Sequence, residues 1–169
     1  HCCKNRGQPE RTRFLSPAWS YHGETLGALA VTDVPLFRDT YAPLLKRNAT
    51  VPSPDARAAA PGESARDVAA RAAQALDAHL AQHHATTAAL IVEPLVQGAS
   101  GMAMYDPHYL ALARELCARH GVLLIADEIM TGFGRTGTLF ACEQSGIVPD
   151  FLCLSKGITG GYLPLSCVL

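Results

Sequence analysis

Two short, almost unbroken apolar runs constrain the fold most: Gly121-Val-Leu-Leu-Ile-Ala126 and Phe151-Leu-Cys-Leu154. Each stops beside an ionisable residue, Asp127 after the first and Lys156 just past the second. Runs of this length without polar alternation are the pattern of strands covered on both faces, as in a parallel sheet. Between them, Thr138-Leu-Phe-Ala-Cys-Glu-Gln-Ser145 is long enough for about two helical turns, with Gly146 placed to end it. Crossover connections are right-handed and make such strands parallel. Asp127 and Lys156 are therefore expected at one carboxyl-terminal sheet edge, where open α/β sheets bind ligands.

The rest of the chain reads as further α/β elements. Arg13 to Trp19 is a strand candidate, weakened by Pro17. Glu24 to Val31 suits a short helix packed through Leu26, Leu29 and Ala30, and Ala49 to Gly62 reads as a loop rich in proline and alanine. Ser64 with Asp67 three residues on forms a helix-start signal, and Val68, Ala72, Ala75, Leu76 and Leu80 keep helical spacing to about His83. Ala88 to Val92 is a strand ending at Glu93-Pro94. Asp106-Pro107 then opens a second helix that Gly121 closes. His79, His83 and His84 are expected on the solvated face of the first helix.

Composition excludes several classes of function. Fourteen basic against fifteen acidic side chains leave a formal charge of −1, no electrostatic footprint for nucleic acid or an anionic membrane. No apolar run approaches the roughly 20 residues that span a bilayer, and no signal peptide is visible, so a soluble, cytoplasmic location is expected. The six cysteines include Cys117, Cys153 and Cys167 in apolar helix or strand patterns, where free thiols behave as small hydrophobes. His1-Cys2-Cys3 lacks the paired spacing of a zinc site, so no metal is expected. The chain has no initiating methionine and stops inside the strand-like Leu163-Pro-Leu-Ser-Cys-Val-Leu169, which predicts an incomplete domain.

A lysine after an apolar strand and before a glycine-rich turn, Lys156-Gly-Ile-Thr-Gly-Gly161, is the pattern of a Schiff-base lysine. Locally, a surface lysine lying along its own apolar stem accounts for the same residues. Likewise Asp127 alone could cap a turn, Tyr21 could be a core aromatic, Ile129 ordinary core, and Glu93 a strand-end residue before a proline.

Five motifs in order resolve that ambiguity: Tyr21-His-Gly-Glu-Thr25, Val92-Glu-Pro-Leu-Val-Gln-Gly98, Leu124-Ile-Ala-Asp-Glu128, Thr131-Gly-Phe-Gly-Arg-Thr-Gly137 and Leu154-Ser-Lys-Gly157. In this order, over nearly the whole chain, they resemble the class III pyridoxal-phosphate aminotransferases. Gln97-Gly-Ala-Ser-Gly-Met102, Leu139-Phe-Ala-Cys142 and Pro149 to Leu154 are most similar to the biotin-synthesis branch of that family. The resemblance implies the large domain of fold type I, a mainly parallel sheet between helices, and a homodimer in the full-length form. It also implies a glycine-serine phosphate loop upstream and a small domain downstream. For the biotin branch the reaction is amino transfer from S-adenosylmethionine to 7-keto-8-aminopelargonate, giving 7,8-diaminopelargonate. The alternatives are another class III ω-amine or amino-acid transaminase, or a catalytically silent fragment.

By the same resemblance, Lys156 is the catalytic lysine that carries pyridoxal 5′-phosphate and contacts substrate, and Asp127 pairs with the pyridine nitrogen. Tyr21 packs on the cofactor ring and borders the substrate, with His22 and Gly23 shaping the turn. Ile129 covers the other ring face, and Glu93 organises polar groups nearby. Glu128 is expected to point away into a structural hydrogen bond, and Arg135 to be structural. Met130 departs from the family pattern, which has glutamine in many relatives and a small residue in the biotin branch.

Overall fold

In a computed structural model that describes all residues 1–169, the strands in chain order are β1 (Arg13–Pro17), β2 (Ala49–Val51), β3 (Thr87–Val92), β4 (Val96–Gln97), β5 (Ala103–Met104), β6 (Leu123–Asp127), β7 (Phe151–Leu154) and β8 (Cys167–Val168). Six of them form one sheet in the order β2-β1-β3-β6-β7-β8. The first five are mutually parallel, and β8 joins β7 antiparallel. Strands β4 and β5 form a small separate ribbon. The crossover expected from β6 to β7 is present, with Ile125 opposite Phe151 and Asp127 opposite Cys153.

Helices α1 (Cys2–Asn5), α2 (Leu26–Leu29) and α3 (Pro35–Arg38) are single turns, whereas α4 (Ala65–His83) and α5 (His108–His120) are long. Helix α4 starts where the sequence places it. The Ser64 hydroxyl accepts from Asp67 N at 3.2 Å while the Asp67 carboxylate accepts from Ser64 N at 2.9 Å, a reciprocal cap of about 1 kcal/mol. Helix α5 is preceded by Asp106, whose carboxylate accepts from His108 N at 2.8 Å, and ends at Gly121 with φ +65°. That left-handed residue is where a side chain would be strained.

Both long helices lie on one face of the sheet. Leu15, Leu90, Val92 and Leu124 meet Ala72, Leu76 and Leu80 of α4 and Tyr109, Leu110 and Cys117 of α5, all buried. The opposite face departs from the expected double cover. Leu123, Ile125, Phe151 and Cys153 remain half-buried along a groove bordered by Phe14, Cys2 and Cys3. Strand hydrophobicity records that a face is meant to be covered, not which segment covers it.

Three local expectations are corrected. The helix expected over Thr138–Ser145 is only the 3-10 turn Ala141–Ser145, because Ala141 N and Cys142 N donate to the Glu128 carboxylate and turn the chain late; Gly146 does end it, at φ +63°. The loop expected from Ala49 begins instead with β2, which pairs Leu15 with Ala49 and Pro17 with Val51. Three residues are too few to show strand alternation. In the Glu24–Val31 helix only Leu26–Leu29 is helical; Leu29 is buried but Leu26 is 52% exposed.

All six cysteines are free. Burial pushes the Cys117 thiol up to about 12 and the Cys153 thiol up to about 11, so both stay neutral as apolar filling. No helix is long and apolar enough to cross a membrane.

Candidate active site

Strands β1, β3, β6 and β7 are consecutive in the sheet and parallel, so their carboxyl ends share one edge. From that edge come Tyr21 and His22 after β1, Glu93 after β3, Asp127 at the end of β6 and Lys156 after β7. The chain leaves β1 toward β2 on one side while β3 lies on the other, the kind of switch point at which open sheets form a crevice. A cavity of about 380 Å³ opens there, and all six residues singled out from the sequence line it: Tyr21, His22, Glu93, Asp127, Ile129 and Lys156.

Asp127 is held on both oxygens. Ile129 N donates to Oδ1 at 3.1 Å, and His22 Nδ1 lies 2.8 Å from Oδ2. Since a carboxylate only accepts, the proton of this bond sits on Nδ1. The two side chains are 2% and 8% exposed, so the contact is shielded from water. The resemblance gives His22 a cofactor-binding place in the turn after Tyr21, without naming its partner. Its imidazole reaches Asp127 across 105 positions, a pairing without local signal. His22 Nε2 is buried with no partner at the cavity wall.

Glu93 ties two loops together. Its Oε1 accepts from Tyr21 N and its Oε2 from Gly98 N, each at 2.9 Å. Burial raises its carboxyl above the usual range, while these two N–H groups and nearby His22 pull it back. The Tyr21 ring packs against Phe37 with centroids 4.7 Å apart and planes tilted by 53°, and its hydroxyl donates to Glu24 Oε1 at 3.0 Å. Burial first, then Glu24, raises the phenol, so it stays protonated and keeps donating.

Lys156 opens a 3-10 turn with φ +45°, a conformation costing a side-chain-bearing residue roughly 1 kcal/mol. The turn is held against the loop after β6: a Cβ added to Gly157 would lie 2.7 Å from Phe133 Cγ. Gly157→Ala is therefore expected to push Phe133 and Lys156 apart and cost about 1–3 kcal/mol of stability through overpacking, measured by thermal unfolding.

The neighbours of these residues divide as their chemistry requires. Glu128, fully buried, turns away from the cavity and accepts from Thr131 Oγ1, Ala141 N and Cys142 N at 2.8–2.9 Å. Met130 does line the cavity, its sulfur lying 2.5 Å from where a Gly98 Cβ would be. Arg135 lines a separate apolar cavity with Met102 and Met104 instead.

The chain is similar to known proteins over its whole length. The family model for aminotransferase class III matches residues 1–169. The chain is 48% identical to the adenosylmethionine-8-amino-7-oxononanoate aminotransferase of Helicobacter pylori, over 100% of this chain and 36% of that protein. It is 44% identical to the same-named enzyme of Nitratidesulfovibrio vulgaris, over 96% of this chain and 30% of the relative. The chain thus spans about a third of the curated relatives it matches. Among solved structures, an amine transaminase from an uncultivated Pseudomonas species in its PLP-bound form superposes with TM-score 0.92 at 38% identity, over 99% of this chain and 38% of the other. An (S)-enantioselective ω-transaminase from Thermomicrobium roseum gives TM-score 0.89 at 38% identity, over 98% of this chain and 37% of the other. With the family model covering every residue, the chain belongs to the class III aminotransferases.

Proposed function

We propose that the full-length protein is a pyridoxal-phosphate-dependent aminotransferase of biotin synthesis, transferring an amino group from S-adenosylmethionine to 7-keto-8-aminopelargonate. The chemistry is supported by one observation above others: the Lys156 amine and the Asp127 carboxylate line the same cavity. The substrates are supported by the shared name of relatives 48%, 44% and 44% identical.

The cavity residues fit pyridoxal phosphate. They combine an amine able to form a covalent bond, a buried carboxylate fixed by two donors, and a buried imidazole nitrogen without a partner. When bound, the cofactor supplies an electron sink for the pair released at the substrate's amine-bearing carbon. Lys156 would anchor it covalently and, once freed, move a proton at that carbon through Nζ. Asp127 would hold the pyridine nitrogen in its protonated form. His22, by donating to Oδ2, orients that carboxylate. Tyr21 and Ile129 would bracket the ring, and Glu93 would fix the Tyr21 backbone beneath it.

Asp127→Asn is expected to cut kcat by roughly 10²–10³-fold, the size of losing one preorganised charge aimed at the reacting group. The fold should survive, because the asparagine amide can donate to His22 Nδ1 once the imidazole shifts its proton to Nε2. Steady-state kinetics beside thermal unfolding separates the two effects.

The remaining parts of this reading concern the whole protein. The chain would form part of the cofactor-binding large domain, with a phosphate loop upstream and a small domain downstream. Exposed Tyr162, Leu163 and Leu165 beside the Lys156 turn suit contact with a partner subunit in a homodimer. Six free thiols suit the reducing cytoplasm. Amine transaminases among the structural relatives support a second reading, transamination of simple amines with a 2-oxo acid. Assaying full-length protein with S-adenosylmethionine and with simple amines decides between them: turnover with amines alone rejects the biotin assignment. Borohydride trapping followed by mass spectrometry should find pyridoxal phosphate on Lys156, and its absence there rejects the aminotransferase reading as a whole.

A further inference from the structure

The opposite end of the same sheet carries a second cluster. Arg13 at the start of β1, Arg47 just before β2, His79 and His83 on the last turns of α4, and Thr86 and Thr87 at the start of β3 surround a cavity of about 380 Å³. Because these strands are parallel, their amino ends face away from the Lys156 edge.

Most polar groups lining it already have partners. The Thr86 and Thr87 hydroxyls donate to His83 O at 3.2 and 2.9 Å, and Asn48 donates to Ala30 O and accepts from Phe14 N. The guanidinium groups of Arg13 and Arg47 have neither an ion pair nor a hydrogen bond, as is also true of Arg6, Arg66 and Arg135, but only these two come together at one cavity; Arg38, Arg57, Arg71, Arg114 and Arg119 are matched to carboxylates. The His79 and His83 rings lie 4.6 Å apart, also without a hydrogen bond. No carboxylate lines the cavity. The donors left free are thus two forked cations and two imidazoles, a set that matches the oxygens of a phosphoryl group and lacks any acceptor for a cation. On a chain with net charge −1, this concentration of unmatched positive charge is local.

We propose that this cavity is a binding site for a small phosphate-bearing anion, separate from the catalytic edge. The anion would be chelated by Arg13 and Arg47 and capped by His79 and His83, with the half-exposed Phe14 ring beside it.

The test uses full-length protein already loaded with pyridoxal phosphate, so that the cofactor's own phosphate site is filled. Calorimetric titration at pH 7 and low salt with pyrophosphate should show saturable binding. The Arg13→Ala/Arg47→Ala pair should weaken it at least about tenfold, since each charge-assisted hydrogen bond is worth more than that factor. Binding of ATP tighter than pyrophosphate assigns the site to nucleotides; equal binding assigns it to inorganic phosphates. Arg47→Glu, on a loop outside the strands, gives the same readout if the double variant does not fold. No saturable binding up to about 10 mM, or equal affinity in the arginine variants, overturns the site.

Discussion

Lys156→Ala should abolish turnover, lowering kcat by at least about 10⁴-fold, because under the proposed function one substitution removes both a covalent anchor and a proton carrier. The loss should not come from unfolding. Lys156 is exposed, and its side chain makes no hydrogen bond or ion pair with the rest of the chain. Its backbone at φ +45° is equally unfavourable for alanine, so stability should stay within about 0.5 kcal/mol of the parent. Lys156→Gly should be slightly more stable than Lys156→Ala, since glycine takes that conformation without strain. Pre-steady-state mixing of full-length protein with an amine donor gives the cleanest readout: the parent should convert its cofactor in a rapid burst, and the alanine variant should show none. A burst in Lys156→Ala comparable to the parent would remove this lysine from the chemistry.

The second large effect falls one residue from Asp127, on stability instead of rate. Glu128→Ala should lower the unfolding free energy by about 3–5 kcal/mol, measured by urea denaturation. The side chain is fully buried, and its two oxygens accept from Ala141 N, Cys142 N and Thr131 Oγ1. Alanine leaves two backbone N–H groups without an acceptor, each a desolvation cost of about 1–3 kcal/mol, and adds a cavity. Against a typical margin of about 5–15 kcal/mol this is a large fraction. Glu128→Gln keeps the volume but can present only one oxygen. One of its amide hydrogens must then face an N–H, so roughly half the loss should remain. If Glu128→Ala unfolds at the parent's urea midpoint, the bonds from the Ala141 turn do not hold this loop in place.

These adjacent carboxylates show where sequence reasoning was sufficient. The apolar run ending in Asp127-Glu128 placed both at a sheet edge, and strand alternation sent them to opposite sides. Helix α4 with its Ser64–Asp67 cap and helix α5 between Asp106 and Gly121 were equally legible, since their ends rest on contacts within a few residues along the chain, and β6 was legible from its unbroken apolar run. The Thr138–Ser145 helix and the Ala49 strand were not. The first is shortened by a carboxylate 13 and 14 positions away, and the second exists only because β1 offers it a free edge.

What the amino-acid sequence by itself determined was the set of reactive groups and the elements that carry them: an amine after β7, carboxylates after β6 and β3, an aromatic after β1. Which of these meet was decided by the order β1-β3-β6-β7 in the sheet, which turns positions far apart in the chain into neighbours along one edge. The His22–Asp127 bond and the Glu93 clamp on Tyr21 and Gly98 belong to that second category. Periodicity and caps are written locally, whereas a hydrogen bond spanning 105 or 72 residues acquires its geometry only when parallel strands close into register.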